Sequence, residues 1–581
     1  GAYQFYDAAG TGAVDAPHSE TANFTSASVS NSRSWGYTWE NILTYNFSIA
    51  RDHEFTVTGV TSYSHSQNES SSASATGFTT NAYKWTNLNK ATGTKNVSSG
   101  YSMGKSMGLV ARLNYSYLGK YLFSASIRHD ANSKLAEDCR WDTFPAVSAG
   151  WRISEEKFMD GTKGWLDNLK LRVGYGETGA AGINAYSSWS ILNQGIMSLG
   201  GVQTTNAYFP TNITNAALGW ERSKSWNFGI DASFFNNRID LSAEYYIVNT
   251  DDVIWNLTLP ITNGGANAET FFTTTANMAK TQNKGVEVTL TTRNIVKRDF
   301  QWTSTITFAK NKEQVKALGE GAAEFVQQDS RDEKSYTLHI GDPVKSYWHY
   351  KLDGVWQKGE EADAAAFGKI PGDLKVNVPG MEKVSDGVWR KAYEQEDGTV
   401  EYNEYTAENP YSVSAADKQM IGHNTPDWQF GFQNTFTYKW FDLSIYMYGR
   451  FGQMMYYDPL LWYSSSGGNF PDYFNYWTPE NPSNDFPSLN SSRNWKDDSY
   501  YTARAFVDGS FFKIKNITLG YTLGKKACSK IGLKNFRVYA TITNPLVVAK
   551  SHLVEDYDPE MNGSLDFPLT KQVVFGVNLS F

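Results

Sequence analysis

Nowhere in the 581 residues does an apolar run approach the roughly 18 that a membrane-spanning helix needs. That excludes helical spans. It leaves open a β-barrel, whose strands need only every second residue apolar. Cysteine is nearly missing: Cys139 and Cys528 are the only two. They form no metal-ligand spacing and no disulfide framework, although the sequence leaves open a bridge between them. Proline is sparse, with 17 residues against 48 glycines, as in a strand-rich chain. The eight histidines include no H-E-x-x-H and no close pair, which argues against a zinc enzyme. There is no G-x-S-x-G nucleophile elbow either. Acidic residues abound, but no spacing selects a catalytic pair. The reading is of a protein that is not an enzyme, with no catalytic residue, metal or cofactor. A net charge of -8 makes nucleic acid an improbable partner. The chain opens on Gly1 with no initiator methionine and no secretory signal, so the expectation is that a natural N-terminal part precedes it.

What is present is aromatic and alternating. Aromatics make up 15% of the chain, an excess that suits the girdles of a membrane barrel and ligand-facing loops. The ending, Lys571 to Phe581, places Val573, Phe575, Val577, Leu579 and Phe581 on one strand face and Val574, Gly576, Asn578 and Ser580 on the other. Such a strand, closed by an aromatic residue, fits a barrel with lipid on one side and a wet lumen on the other.

The same period recurs upstream. Strands are expected at Tyr37–Ile49, Glu54–Ser66, Leu109–Tyr117, Tyr121–Asp130, Phe144–Ile153, Asn168–Thr178, Trp226–Phe235, Arg238–Asn249, Gly285–Arg293, Phe300–Asn311, Asp427–Tyr438, Phe441–Phe451, Phe512–Leu523, Asn535–Asn544 and Lys571–Phe581. Gly1 to about Ser32 reads as a loop, and so does the Ser/Asn/Thr-rich stretch to about Lys105. Tyr347 to Trp356 suggests a small strand outside the main set. The connections alternate short and long, as periplasmic turns and outer loops do. On that basis the loops Gly179–Ser223, Lys312–Thr425, Phe451–Gly509 and Pro545–Thr570 belong on the outer face. Counting from there brings Phe581 to the periplasmic side. About 15 strands is an odd number, so the chain is not expected to close by itself. The fold class is all-β, an antiparallel transmembrane β-barrel, with residues 1–581 forming one C-terminal barrel portion. Leu443 and Ile445 should face lipid, and Asp442 and Ser444 the lumen, together with Tyr446, Tyr448 and Arg450.

Two local motifs have sharper alternatives. Gly174-Tyr-Gly176-Glu-Thr-Gly179 matches G-x-G-x-x-G, but a dinucleotide site needs a helix next, and a polar loop follows; a glycine-rich strand end is the expectation. The aromatic loop from Met454 to Tyr501 gathers Tyr456, Tyr457, Trp462, Tyr463, Tyr473, Phe474, Tyr476 and Trp477. Aromatic faces stack on sugar C–H faces or peptide side chains, so Tyr456, Tyr457, Trp462, Tyr463, Tyr473, Tyr476 and Trp477 are the candidate ligand-binding residues. The competing reading is that they pack the loop onto itself.

Several segments, in order from about Leu109 to Phe581, resemble the SusC-like TonB-dependent transporters of the Bacteroidota outer membrane. They include Leu113-Asn114-Tyr115-Ser116-Tyr117, Phe144-Pro145-Ala146-Val147-Ser148-Ala149-Gly150-Trp151, Phe234-Phe235-Asn236-Asn237, Tyr476-Trp477-Thr478-Pro479-Glu480-Asn481-Pro482, Asp558-Pro559-Glu560 and Gly576-Val577-Asn578-Leu579-Ser580-Phe581. The resemblance implies a barrel of about 22 strands filled by an N-terminal plug, neither the plug nor the first strands being in this chain. It implies energised import of oligosaccharides or peptides across the outer membrane. The implied partners are a SusD-like lipoprotein lid, TonB with its inner-membrane energising complex, the missing plug and strands, and outer-membrane lipid. Many relatives carry an acidic calcium-like run. Here Glu396-Asp397-Gly398 and Glu404 echo its end, but Tyr393 and Gln395 replace expected ligands, so no metal is assigned. The alternative function is a barrel-anchored surface binding protein or enzyme without transport. A passive porin ranks behind both, because so wide a barrel would leak.

Overall fold

In a computed structural model of the chain, the described residues are 2–6, 26–78, 85–190, 192–199, 202–210, 212–258, 273–319, 324–327, 336–394, 398–462, 474–489 and 500–581. Among the described residues, the main sheet contains sixteen strands hydrogen-bonded in chain order. They are β1 (Ala2–Tyr6), β2 (Ser26–Ile49), β3 (His53–Thr76), β4 (Lys95–Tyr117), β5 (Tyr121–Asn132), β6 (Trp141–Arg152), β7 (Leu166–Ala180), β8 (Glu221–Phe234), β9 (Ile239–Thr258), β10 (Thr273–Val296), β11 (Phe300–Ala317), β12 (Trp428–Tyr438), β13 (Phe441–Phe451), β14 (Phe511–Thr522), β15 (Asn535–Ala549) and β16 (Gln572–Ser580).

All fifteen expected strands are present, and β1 is an addition. The stretch read as a loop to Ser32 instead contains β1 and the start of β2, paired antiparallel from Ala2↔Ser30 to Tyr6↔Ser26. The Ser/Asn/Thr-rich stretch up to Lys105 is corrected too. β2 and β3 pair continuously from Ser26↔Thr76 to Ile49↔His53, and β3 continues onto β4 up to Ala75↔Lys95. β2 is 24 residues long, whereas about 9–11 suffice to cross a bilayer. The remainder is ladder carrying small hydroxyl side chains, such as Ser64 and Ser106 at 2.6 Å. Such a ribbon satisfies its backbone without an apolar face, so the period-2 signal vanishes although the strand does not. Gly174 to Gly179 lies within β7, with Gly179 against the Phe144 ring and no helix after it.

The chain divides into two compact units. One comprises Gly1–Ala149, Gly174–Lys224 and Thr250–Ala279; the other Gly150–Val173, Ser225–Asn249 and Lys280–Phe581. In the first, one sheet face carries the cross-strand row Leu43–Gly59–Ala111–Ile127 and, nearer the turns, the row Phe47–Phe55–Tyr115–Phe123. Phe47 and Phe55 stack at 4.9 Å, and Phe55 meets Tyr115 at 4.8 Å. The opposite face carries Thr44, Thr58, Arg112 and Ser126.

In the second unit the rows Leu443–Leu519–Ala540–Phe575 and Ile445–Ile517–Ile542–Val573 share one face. Aromatic belts bound this band: Tyr438, Phe441 and Tyr521 toward the short turns, and Trp428, Phe430, Phe451 and Phe512 toward the loops. The other face carries Asp442, Ser444, Tyr446, Tyr448 and Arg450, as expected. Here long side chains lie over strand glycines. Tyr539 covers Gly576, Tyr246 covers Gly285, and Arg172 covers Gly229. The Arg537–Asp442 pair, 2.6 Å apart, occupies the space a side chain at Gly520 would fill. Arg172 is held by Asp231 at 2.8 Å and Glu244 at 2.6 Å on the same face.

The largest buried core of the second unit lies outside its sheet, in the connecting loops. Tyr347 to Trp356 is not one strand. Ser346–His349 pairs with Gln419–His423, and Lys351–Val355 pairs with Leu374–Asn377.

Candidate functional site

The loops between β11 and β12, β13 and β14, and β15 and β16 fold into one assembly within the second unit. Trp356, fully buried, packs with Phe367, Leu374, Val376, Tyr411 and Tyr500. A second cluster joins Met455, Leu460, Phe474, Phe486, Val507 and Val554. Loops of this length carry polar backbone that must be satisfied, and charged groups buried with them need partners. Asp363 accepts from Lys383, from the Gly387 N–H at 3.0 Å and from the Trp389 indole at 3.0 Å. Burial pushes the Asp363 carboxyl up, but these donors together bring it below its ordinary value. Asp417, fully buried, is held the same way: burial opposes ionisation, and Lys391 at 2.5 Å, the Ser414 N–H and the Tyr411 hydroxyl overcome it. Burial lowers His349 to about 4, helped by nearby Lys418, so it is neutral at physiological pH. Arg504 is buried and donates to the Leu460 carbonyl at 2.9 Å.

Two fastenings tie the loops together. Asn424 and Asn562 exchange amide hydrogen bonds of 2.8 and 3.0 Å. The next residue, Gly563, has φ +81 and lies so close to the Tyr456 carbonyl that a β-carbon has no room. Below them, the ammonium of Lys513 on β14 meets Asp558 at 2.6 Å and Glu560 at 2.7 Å, and Lys515 meets Glu560 at 2.5 Å. Asp558 also caps the short 3-10 helix Pro559–Met561 by accepting from the Glu560 N–H. The Asp-Pro-Glu segment and the Lys515–Tyr521 segment both stand out in the sequence as family-like motifs, but nothing in the sequence pairs them, and Lys513 does not stand out at all. Nor do Asn424, Asn562 or Gln357, whose partners are far away in sequence.

The candidate aromatics divide. Tyr456 is buried beside Leu461 and Ala505. Tyr457 is half-buried against Tyr557, ring centroids 4.7 Å apart. Trp477 is buried with its indole N–H on Gln357 at 2.9 Å. Trp462 is 60% exposed, its indole N–H on Asp458 at 3.1 Å, and Tyr476 is 37% exposed. Tyr456 and Trp462 both donate to Asp458, Tyr457 turns to Tyr557, and Tyr476 and Trp477 belong to the strip paired with Phe486. Tyr463 and Tyr473 lie outside the described residues, as do 395–397 of the calcium-like run. Tyr393 of that run is bonded to the Tyr405 hydroxyl at 2.8 Å. Among the described residues no cluster of His, Cys, Asp or Glu could hold a metal ion. Cys139 and Cys528 are free thiols.

Residues 1–544 match the family model described as "TonB dependent receptor-like, beta-barrel". Among curated proteins, the chain is 28% identical over 564 residues to TonB-dependent receptor P3 of Formosa agariphila, covering 93% of this chain and 52% of that protein. It is 26% identical over 480 residues to TonB-dependent receptor SusC of Bacteroides thetaiotaomicron, covering 81% and 43%. The chain thus spans about half the length of the curated relatives it matches. Among solved structures, it superposes on a chain of the RagAB peptide transporter with TM-score 0.77 at 22% identity, covering 96% of this chain and 56% of that one.

Proposed function

The chain belongs to the TonB dependent receptor-like β-barrel family, a family of outer-membrane receptors and not of enzymes, and on that premise we propose that it forms the barrel portion of an energised importer. The observation that carries the proposal is the division of labour in the second unit. One sheet face is apolar between aromatic belts, as lipid requires, and the other is lined by ion pairs, as a wet lumen requires. At one end of the same strands, three loops build a folded cap with its own core.

In this reading the cap and its exposed aromatics, Trp462 and Tyr476, receive an oligosaccharide or a peptide beneath a SusD-like lipoprotein. Both ligands suit aromatic faces with a polar handle. TonB then acts on a plug that belongs to the rest of the protein. Further strands would continue the sheet at β2. Its edge from Asn31 to Ile49 has no strand partner among the described residues, since β1 covers only Ser26 to Ser30. The full barrel would then approach about 22 strands.

The test is uptake by cells carrying or lacking the full-length protein, using labelled oligosaccharide and peptide mixtures, with and without a functional TonB. Uptake that needs both the protein and TonB is expected. Surface binding that persists without TonB, with no uptake in either case, would replace import by the anchored-binder reading.

A further inference from the structure

Three consecutive turns along one edge of the second unit's sheet carry mainly positive charge. The turn 297–299 holds Lys297, Arg298 and Asp299; the turn 439–440 holds Lys439; and the turn 523–534 holds Lys525, Lys526, Lys530 and Lys534. Seven cations accompany one carboxylate, a local net of +6 in a chain whose total is -8. The turns are in contact. The Lys439 N–H donates to the Asp299 carbonyl at 2.9 Å, the Thr522 N–H to the Trp440 carbonyl at 2.8 Å, and the Lys534 N–H to the Ser580 carbonyl at 2.7 Å. The Trp440 ring lies on Gly524. All seven cations are exposed, and none has an ion-pair partner among the described residues. The turn 153–165 of the same unit is different: Arg152 at its edge pairs with Glu155 at 3.2 Å and Lys163 with Asp160 at 2.6 Å.

An apolar collar runs beside these cations. Tyr438, Trp440, Phe441 and Ile531 are all exposed, and Tyr438, Phe441 and Tyr521 form the last row of the apolar sheet face. Aromatic rings at such a boundary lie at headgroup depth. The fixed cations therefore stand where phosphates of the adjoining leaflet lie. The short helix Lys525–Lys530 fits the purpose sterically. Cys528 is buried against the turn, leaving the lysines outside.

We propose that this rim binds anionic phospholipid headgroups of the leaflet on the short-turn side. The phosphodiester would be taken by Lys525, Lys526, Lys530 and Lys534, with Lys297, Arg298 and Lys439 adding to the field. A basic residue near an anionic bilayer surface contributes about fivefold in affinity, and the effect fades within a Debye length of about 8 Å at physiological salt. An acidic protein partner would match the charge but leave the continuous apolar collar unexplained.

The test uses the full-length protein purified from the membrane and exchanged into mixed micelles of phosphatidylglycerol and phosphatidylethanolamine, with native mass spectrometry of the lipids it retains. Phosphatidylglycerol should be retained at least about tenfold over phosphatidylethanolamine at low salt, and the preference should collapse near 0.5 M salt. The combined Lys525→Gln, Lys526→Gln, Lys530→Gln and Lys534→Gln variant should lose the preference. A control with Lys90, Lys316, Lys351 and Lys358 changed to Gln should keep it. No preference in the parent, a preference indifferent to salt, survival in the fourfold variant, or equal loss in the control would each overturn the proposal. The salt series on the parent decides the matter even if the fourfold variant does not assemble.

Discussion

The Lys513 ammonium, on a side chain with none of its surface exposed, lies 2.7 Å from Glu560, a residue of the loop leading to the final strand. Asp558, at 2.6 Å, completes the clamp, so one β14 lysine holds both carboxylates of the Asp-Pro-Glu segment. Removing one member of a buried ionic cluster strands the others, at a cost of about 3–5 kcal/mol. Lys513→Met should therefore release the loop between β15 and β16 while the strands stay assembled. Limited proteolysis should show new cleavage within 550–571. A loop as resistant as the parent's would show that the remaining contacts, Lys515 on Glu560, the Asn424–Asn562 pair and the core around Val554, suffice without Lys513.

Trp477 and Trp462 should behave oppositely. Trp477 is buried and bonded to Gln357, so Trp477→Ala should destabilise the loop assembly by about 3–5 kcal/mol, read as a lowered unfolding midpoint of the cap. Trp462→Ala removes an exposed ring and should change that midpoint by about 0.5 kcal/mol or less. If the exposed ring stacks on cargo, Trp462→Ala should instead weaken ligand binding in equilibrium titration. Unchanged binding would leave Trp462 without a part in recognition.

The lipid face admits a direct check. Val577 is exposed on the row shared with Val538. Val577→Arg should destabilise the membrane-inserted protein by about 2–4 kcal/mol if that row lies near the bilayer midplane. Asn578→Asp, on the opposite face across from Arg537, should be tolerated. Equal effects in a folding titration would mean that the two faces are not lipid and water.

His349 gives the cap a pH dependence. Its folded-state value of about 4 lies below the ordinary 6.5 because burial disfavours the charged ring. The unfolded cap thus binds more protons between those values. The stabilisation is fully present above pH 6.5 and is lost as pH falls toward 4, by up to about 3 kcal/mol. His349→Phe should flatten that slope. Cap unfolding followed by tryptophan fluorescence across this range would measure it; identical slopes in parent and variant would assign the dependence elsewhere.

How much of this was legible depends on range. The Leu443/Asp442 alternation was readable because a two-residue period reports directly which side each residue faces. The outer halves of β2 and β3 were not, since Ser28 and Ser74 leave no apolar face to detect. The candidate aromatics were found as a group, but their division was hidden. Trp477 is buried because Gln357 and Gly372 meet it, and those positions lie over a hundred residues earlier. The lysine clamp was half visible: Asp558 and Glu560 stood out, while Lys513 looked like one more alternating strand residue.

The glycines beneath Tyr539, Tyr246 and Arg172 tie side-chain packing on the wet face to strand register. Each long side chain occupies the place where its neighbour has no β-carbon, so a correctly paired ribbon is smooth on its wet side. Shifting β16 by one position would bring Val577 or Phe575 under the Tyr539 ring and turn Gly576 toward the hydrocarbon, losing packing on both faces at once. One residue of slip is thus penalised twice, once on each face, and the register of the final hairpin is fixed from both sides.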